Sequence, residues 1–468
     1  MKGRFSPFYV NCGVYFGPNI AYIEANLMFS RKDLIKLIIP LVIEQVLAVT
    51  VGLSDSMMVS SVGEAAVSGV SLVDSLNVLL IGLFGALATG GAVVSAQFLG
   101  HRDEKSACAA GEQLIAAILA LSVILMLVSL FFGRHALVLL FGEVSPEVMS
   151  NSRIYLFYSA LSFPFIAVYN ACAALFRSMG NSKISMKISL FMNIIHVTIN
   201  AILIFGVGLG VAGAAVSTML SRTFAAVTLF ILLKNKRHPI HIGAIRSFRP
   251  DIRMIKRILR IGVPNGLENS VFQIGKILVQ GIVAGLGTSA ITANAIAGTI
   301  GGFGVLPGSA VGLALITVVG RCVGARDYDG VKHYTFKLMK LTFLFMAVIN
   351  ILLIFSIPLI LKLYNLSDET SVIAGQLITY HCLLSTLIWP LSFALPNALR
   401  AANDVKFTLV VSMVSMWVWR IGFSYILAIT LHLGVLGVWI AMTIDWLFRS
   451  ICFVLRFLKE KYKTMAVI

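Results

Sequence analysis

Two stretches of this chain, 224 residues apart, share one skeleton. The first runs from Ile39 to Asp103, and the second begins at Val263 and closes on Asp327. Pro40 matches Pro264, Glu44 matches Glu268, Gly63 matches Gly287, Gly100 matches Gly324 and Asp103 matches Asp327, all at one offset and without a gap. Further on, Gly210 and Gly213 match Gly434 and Gly437 at the same offset. A register held this long makes the chain two copies of one unit. Each place where the copies differ then becomes informative.

That unit belongs in a membrane. Residues are 58% hydrophobic and only 12% charged, too little charge to cover a soluble protein of this length. Apolar runs of about 20 residues recur throughout, the length that crosses a bilayer's hydrocarbon core. Backbone groups in lipid must satisfy one another, so such runs are helices. The alternating period of outer-membrane strands is missing. Spans are expected near 34–60, 75–99, 112–141, 150–177, 185–206, 210–233, 254–285, 292–321, 334–362, 370–400, 406–430 and 434–458. The expected fold is an all-α polytopic membrane protein, twelve transmembrane helices in two six-helix repeats around a central cavity. Because six is even, the repeats enter from the same side and are parallel, an arrangement found in secondary transporters.

The chain divides accordingly. Residues 1–30 form an N-terminal arm, either disordered or a start-site artefact, because Met28 opens a conventional entry, MFSRKDLIKLIIP. Residues 31–233 are the first bundle and 258–468 the second. Between them, 234–257 is a basic linker with two prolines, expected to end in a short amphipathic helix.

Net charge is +17, which raises the question of nucleic acid. Placement answers it: 31 of the 37 Lys and Arg fall on one set of alternate loops and their flanks. This is the positive-inside pattern, with both ends cytoplasmic in a plasma (inner) membrane. The basic surplus faces lipid head groups, and no nucleic-acid motif accompanies it. Six scattered cysteines make neither a metal site nor a disulfide framework. Dispersed histidines give no catalytic cluster, so no enzyme and no cofactor are expected. The reading is a monomer that moves a small molecule.

Ionisable groups inside spans cost at least about 2.5–3.5 kcal/mol each near the bilayer centre, so they are functional candidates. Glu44 and Asp55 lie eleven residues apart, nearly on one face of the first span, with Ala48 and Gly52 between. Pro40 removes a backbone bond near the entry and is a candidate hinge. In the second copy this stripe reads Glu268, Phe272, Lys276, Val279, with Gln273 beside it. Val279 replaces Asp55, so the deep carboxylate of the opening helix exists in the first copy only. His196 and Asn200 in span 5 correspond to Arg420 and Ser424 in span 11, and Thr218 and Arg222 form a similar pair in span 6. The first half is therefore the expected seat of a coupling cation at Asp55, His196, Asn200 and Thr218. Desolvation makes a carboxylate's charge costly, so Asp55 can load and release a proton. Oxygens of Asp55, Asn200 and Thr218 could instead ligate sodium. His196 tips the reading towards the proton. Glu44, Glu268, Gln273, Lys276 and Arg420 are candidates for substrate contact or gating. The structural alternatives are salt-bridged packing for Lys276 and Arg420, and a shared helix-end role for Glu44 and Glu268.

Several segments resemble the multidrug and toxic compound extrusion (MATE) family: GLSDSMMVSSVGEAAVSGV at 52–70, AQFLGHR at 96–102, LFRSMGNSK at 175–183 and IFGVGLGVAGAAVST at 204–218. The resemblance implies export of diverse, often cationic and aromatic compounds in exchange for protons or sodium. It also implies a cation site at Asp55, His196, Asn200 and Thr218. His196 and Asn200 stand where many bacterial members carry an Asn and an Asp, so one carboxylate remains instead of two. A second group of members carries a glutamate in span 7 at the place of Phe272. The runner-up reading is a flippase or exporter for a lipid-linked or anionic amphipathic cargo, which Lys276 and Arg420 could hold.

Overall fold

The computed structural model describes residues 28–142, 144–243, 248–364 and 366–465. The expectation for the arm 1–30, save its last three residues, lies outside the described residues. All secondary structure among the described residues is helical.

In the first half, span 1 is Arg31–Ser60, span 2 Glu64–Gly100 and span 3 Glu104–Phe141. Span 4 is broken into Pro146–Leu161 and Phe163–Ser178, span 5 is Ser182–Gly206 and span 6 Gly210–Leu233. In the second, span 7 is Ile252–Ala284 and span 8 the pair Thr288–Gly304 and Leu306–Gly324. Spans 9 to 12 are Tyr328–Tyr364, Asp368–Ala401, Val405–Thr430 and Gly434–Leu458. Ten helices are long and apolar enough to cross a bilayer, and the bent pair of span 4 makes eleven. Span 7 completes twelve by its place in the repeat. Asn265, Glu268, Asn269, Gln273 and Lys276 make it too polar for a hydropathy test. Ile252 opens that helix directly, so the end of the linker and the start of span 7 are one element.

Local chemistry sets the ends. Ser30 accepts from the Asp33 backbone N–H at 3.2 Å while Asp33 accepts from the Ser30 N–H at 3.0 Å, a reciprocal cap. Asp103 and Asp327, matched in the repeat, each accept from a backbone N–H three residues on, at 3.0 and 2.8 Å. Gly63 and Gly287 turn the chain into spans 2 and 8 with φ of +134° and +98°, which a side chain would resist.

The copies differ by defined insertions. Their offset is 222 at the N-cap serines Ser145 and Ser367, 223 at Arg177 and Arg400, and 224 again at Asn200 and Ser424. Between those points lie two π-helical segments of the second copy, Pro390–Ala394 and Ser415–Gly422. Each wider turn absorbs one extra residue. The π segments Ile202–Gly206 and Ile426–Thr430 are shared by both copies at offset 224.

Span 2 lies along span 7, and Leu306–Gly324 packs on spans 1 and 2. The tails of spans 2 and 8 cross almost backbone to backbone. A methyl group placed on Gly100 would meet the Arg321 carbonyl, and one on Gly324 the Gln97 carbonyl. The same contact is made twice across the seam. Gln97 donates to the Ala401 carbonyl at 2.8 Å, and its counterpart Arg321 donates to the Ser178 carbonyl at 3.1 Å. Thr317 reaches the Arg177 carbonyl at 3.0 Å, and Tyr334 holds both backbone polar groups of Phe29. Among the described residues, every hydrogen bond between the six-helix halves lies at this one end, where span 1 begins and span 2 ends.

Candidate functional site

The first-half candidates come together. Asn200 Nδ2 donates to Asp55 Oδ1 at 2.6 Å, joining spans 1 and 5. His196 Nε2 lies 3.2 Å from the Thr218 hydroxyl, joining spans 5 and 6, and 3.9 Å from Asp55 Oδ1. His196 and Asn200 sit one turn apart on a regular stretch of span 5, so both face the same gap. Asn200 is wholly buried, whereas the Asp55 side chain keeps 16% exposure and can exchange with the surroundings. Thr218 also donates to the Ala214 carbonyl at 3.0 Å, which leaves its oxygen free to accept from His196.

Around this centre lie Asp74, which sequence reasoning missed, and Arg222. Asp74 on span 2 accepts from Asn77 at 3.3 Å and from Tyr155 of span 4. It shares the electrostatic field of Asp55 and Arg222. Arg222 donates to Ser162 at 2.8 Å, at the break of span 4. Span 2 begins at Glu64 rather than near residue 75, and Asp74 therefore falls inside the helix instead of in a loop. A charge within an apolar run was the available signal; the span edge drawn too late hid it.

Glu44 sits elsewhere. It is buried between spans 4 and 5, accepting from Arg177 at 3.1 Å and Ser185 at 3.0 Å. Its counterpart Glu268 accepts from Arg400 at 2.7 Å, Ser412 at 2.6 Å and Arg449 at 3.5 Å. The two glutamates thus clasp equivalent helices in each half. Arg449, counted from sequence among cytoplasmic charges, is 3% exposed within span 12. Arg420 pairs with Asp445 at 3.3 Å, and Asp445 also takes the Ser415 hydroxyl. Lys276 lies 5.8 Å from the Phe272 ring centre. Gln273 is half-buried on span 7 with no hydrogen bond among the described residues. Pro40 lies within an unbroken span 1, as Pro264 does within span 7.

A cavity of about 360 Å³ opens beside Glu268, lined by Phe272, Trp389, Phe393, Arg400 and Arg449, with Gln45 of the first half at its edge. The described residues hold no cluster of three His, Cys, Asp or Glu that could bind a metal ion.

Comparison with known proteins places this architecture. The MatE family profile matches twice, over residues 40–202 and 264–426, once in each half. The chain belongs to the MatE family. It is 28% identical over 421 residues to the uncharacterized transporter YisQ of Bacillus subtilis, covering 88% of this chain and 90% of the relative. It is 26% identical over 447 residues to the probable multidrug resistance protein NorM of Thermotoga maritima, covering 94% of each. Among solved structures it resembles a MATE transporter in an outward-facing conformation, with TM-score 0.85, 22% identity, and coverage of 93% of this chain and 97% of that one. The MatE chain is thus a multi-pass membrane transporter built from two repeats.

Proposed function

We propose that this MatE chain is a secondary antiporter that exports small organic-cationic or amphipathic compounds, driven by proton entry. The observation that carries the reading is the Asp55–Asn200 bond at 2.6 Å beside the His196–Thr218 pair. A carboxylate that gains a proton loses its demand for donors. Protonation of Asp55 therefore loosens its hold on Asn200 and lets spans 1 and 5 re-seat. The proton arrives at a carboxylate whose side chain keeps 16% exposure, and the neighbouring imidazole is the natural relay. Sodium is the lesser reading, since Asp55 is the one carboxylate that touches Asn200 and His196 among the described residues.

Relatives named as multidrug resistance proteins support the cargo class. The basic loops support a plasma-membrane protein with cytoplasmic termini, and on that reading the sealed end of the seam faces the cytoplasm. Alternating access then requires the Gly100–Gly324 crossing to part. One cation entering down 100 mV supplies about 2.3 kcal/mol, enough for roughly a fortyfold gradient of an electroneutral cargo. We read the chain as working alone in lipid, without a cofactor.

The test is efflux of a fluorescent cationic dye from cells carrying Asp55→Asn, with membrane insertion checked by size-exclusion profile. Abolished efflux by inserted protein is expected. Unimpaired efflux removes Asp55 from the mechanism.

A further inference from the structure

Span 4 breaks beside a buried polar path that links three helices of the first half. Asn77 of span 2 donates to Asp74 at 3.3 Å and to the Ser159 hydroxyl at 3.4 Å. Ser162, at the break, donates to the Ser159 carbonyl at 2.6 Å and accepts from Arg222 of span 6 at 2.8 Å. Tyr155 of span 4 donates to Asp74. Asn77, Tyr155, Ser159 and Ser162 are all buried. Asp74 is thus joined to Arg222 across spans 2, 4 and 6.

The second half lacks the polar groups but keeps the packing. Val279, Gly298, Gly301, Leu377 and Trp446 stand where the first half has Asp55, Asp74, Asn77, Tyr155 and Arg222. His381, the counterpart of Ser159, lies against Gly301, the counterpart of Asn77. These helices therefore meet in the same way without an acid or an arginine between them. Packing alone does not account for Asp74 and Arg222.

Charge counting gives them a task. Arg222 makes no direct ion pair among the described residues, and its charge acts on Asp55 and Asp74 alike. Were Asp55 the sole acid near it, Arg222 would hold that carboxylate ionised and a proton would gain little by binding. Asp74 is a second acid. Two carboxylates against one guanidinium leave one buried negative charge, which is costly, and one proton removes it. The other titratable groups at hand are His196 of span 5, 3.9 Å from Asp55, and Tyr155 on Asp74. The buried Asn200 Oδ1 lacks a hydrogen-bond partner beside Asp55, and a protonated carboxyl supplies a donor.

We propose that Asp74 acts through Arg222 as a positioning residue for the coupling proton: it offsets the guanidinium charge, so that Asp55 takes up and releases a proton within the working pH range. The inference rests on the proton-antiport reading and adds Asp74 and Arg222 to it.

The test is the pH profile of dye uptake into inverted vesicles, with lumenal pH varied, for the native chain, Asp74→Asn, Arg222→Gln and the double variant. Asp74→Asn leaves Arg222 acting on Asp55 alone, which then keeps its charge to lower pH. The half-maximal point should move about one pH unit towards acid, the size expected of one charge some ångströms beyond contact. Arg222→Gln should move it towards alkali by a similar amount, and the double variant should return it near the native value. A merely structural role would lower uptake in both single variants without opposite shifts. Where Arg222→Gln fails to insert, the acid shift of Asp74→Asn and its return in Asp74→Glu decide. Unmoved profiles, or shifts of one sign in both single variants, overturn the proposal. Asp55→Asn is measured alongside. Abolished uptake there, with an unmoved Asp74→Asn profile, sinks this inference and leaves the exporter reading standing; uptake that survives in Asp55→Asn removes both.

Discussion

At the scale of the residue, one carboxylate in each half was paired from sequence, and the two have a shared task. Glu44 and Glu268 tie span 1 to spans 4 and 5, and span 7 to spans 10, 11 and 12. Breaking a buried pair leaves a charge without a partner, at a cost of about 3–5 kcal/mol. Arg177→Ala should therefore lower unfolding stability in detergent by about that amount, read from denaturant titration. The double change Glu44→Met with Arg177→Met should recover most of the loss, because no orphan charge remains. A loss of equal size in the double variant would mean that shape, not charge, holds these helices. The proposed coupling centre predicts differently. Asn200→Ala removes the donor to Asp55 while leaving the carboxylate, so export should persist with an altered pH dependence, measured as dye efflux across external pH. An unchanged profile would separate Asn200 from proton handling.

At the scale of the element, the glycines at the seam matter more than any charge. Spans 2 and 8 cross where Gly100 and Gly324 touch the opposite backbone. Gly100→Val should force the crossing apart and favour the opposite conformation. Spin labels on the two span ends at that side should report a longer distance, and an unaltered distance would place the closure elsewhere. The elements themselves were readable in advance, because apolar runs of fixed length and a repeat at constant offset survive any side-chain detail. Their internal breaks were less so. The clasps were hidden because Arg177 and Arg400 sit at offset 223 while their glutamates sit at 224. The offset reaches 223 there only through the π turn Pro390–Ala394, which the helical period does not announce. Asp74 was hidden by a helix starting eleven residues earlier than its apolar run. Arg449 was masked by the assumption that a cation near a span end serves orientation, whereas it points inward to Glu268.

At the scale of the whole molecule, the two bundles share a frame and diverge in polarity. Matched glutamate clasps, aspartate caps and left-handed turns at Arg102 and Arg326 keep the frame alike. The acids of the first half and the cations of the second give each bundle its own chemistry. Hydrogen bonds across the seam gather at one end and are missing from the other among the described residues, as the proposed alternating cycle requires of one of its states. A single barrier moving between two ends needs an ion site that senses protonation on one side and cargo on the other. In the proposed mechanism that task falls to Asp55, whose side chain is held by Asn200 and keeps 16% exposure. The most direct measurement is uptake of a fluorescent cationic dye into inverted vesicles with proton and sodium gradients imposed in turn, for the native chain and Asp55→Asn. Uptake driven by the proton gradient alone, and lost in Asp55→Asn, is predicted; uptake that follows sodium, or that survives the substitution, would contradict the account.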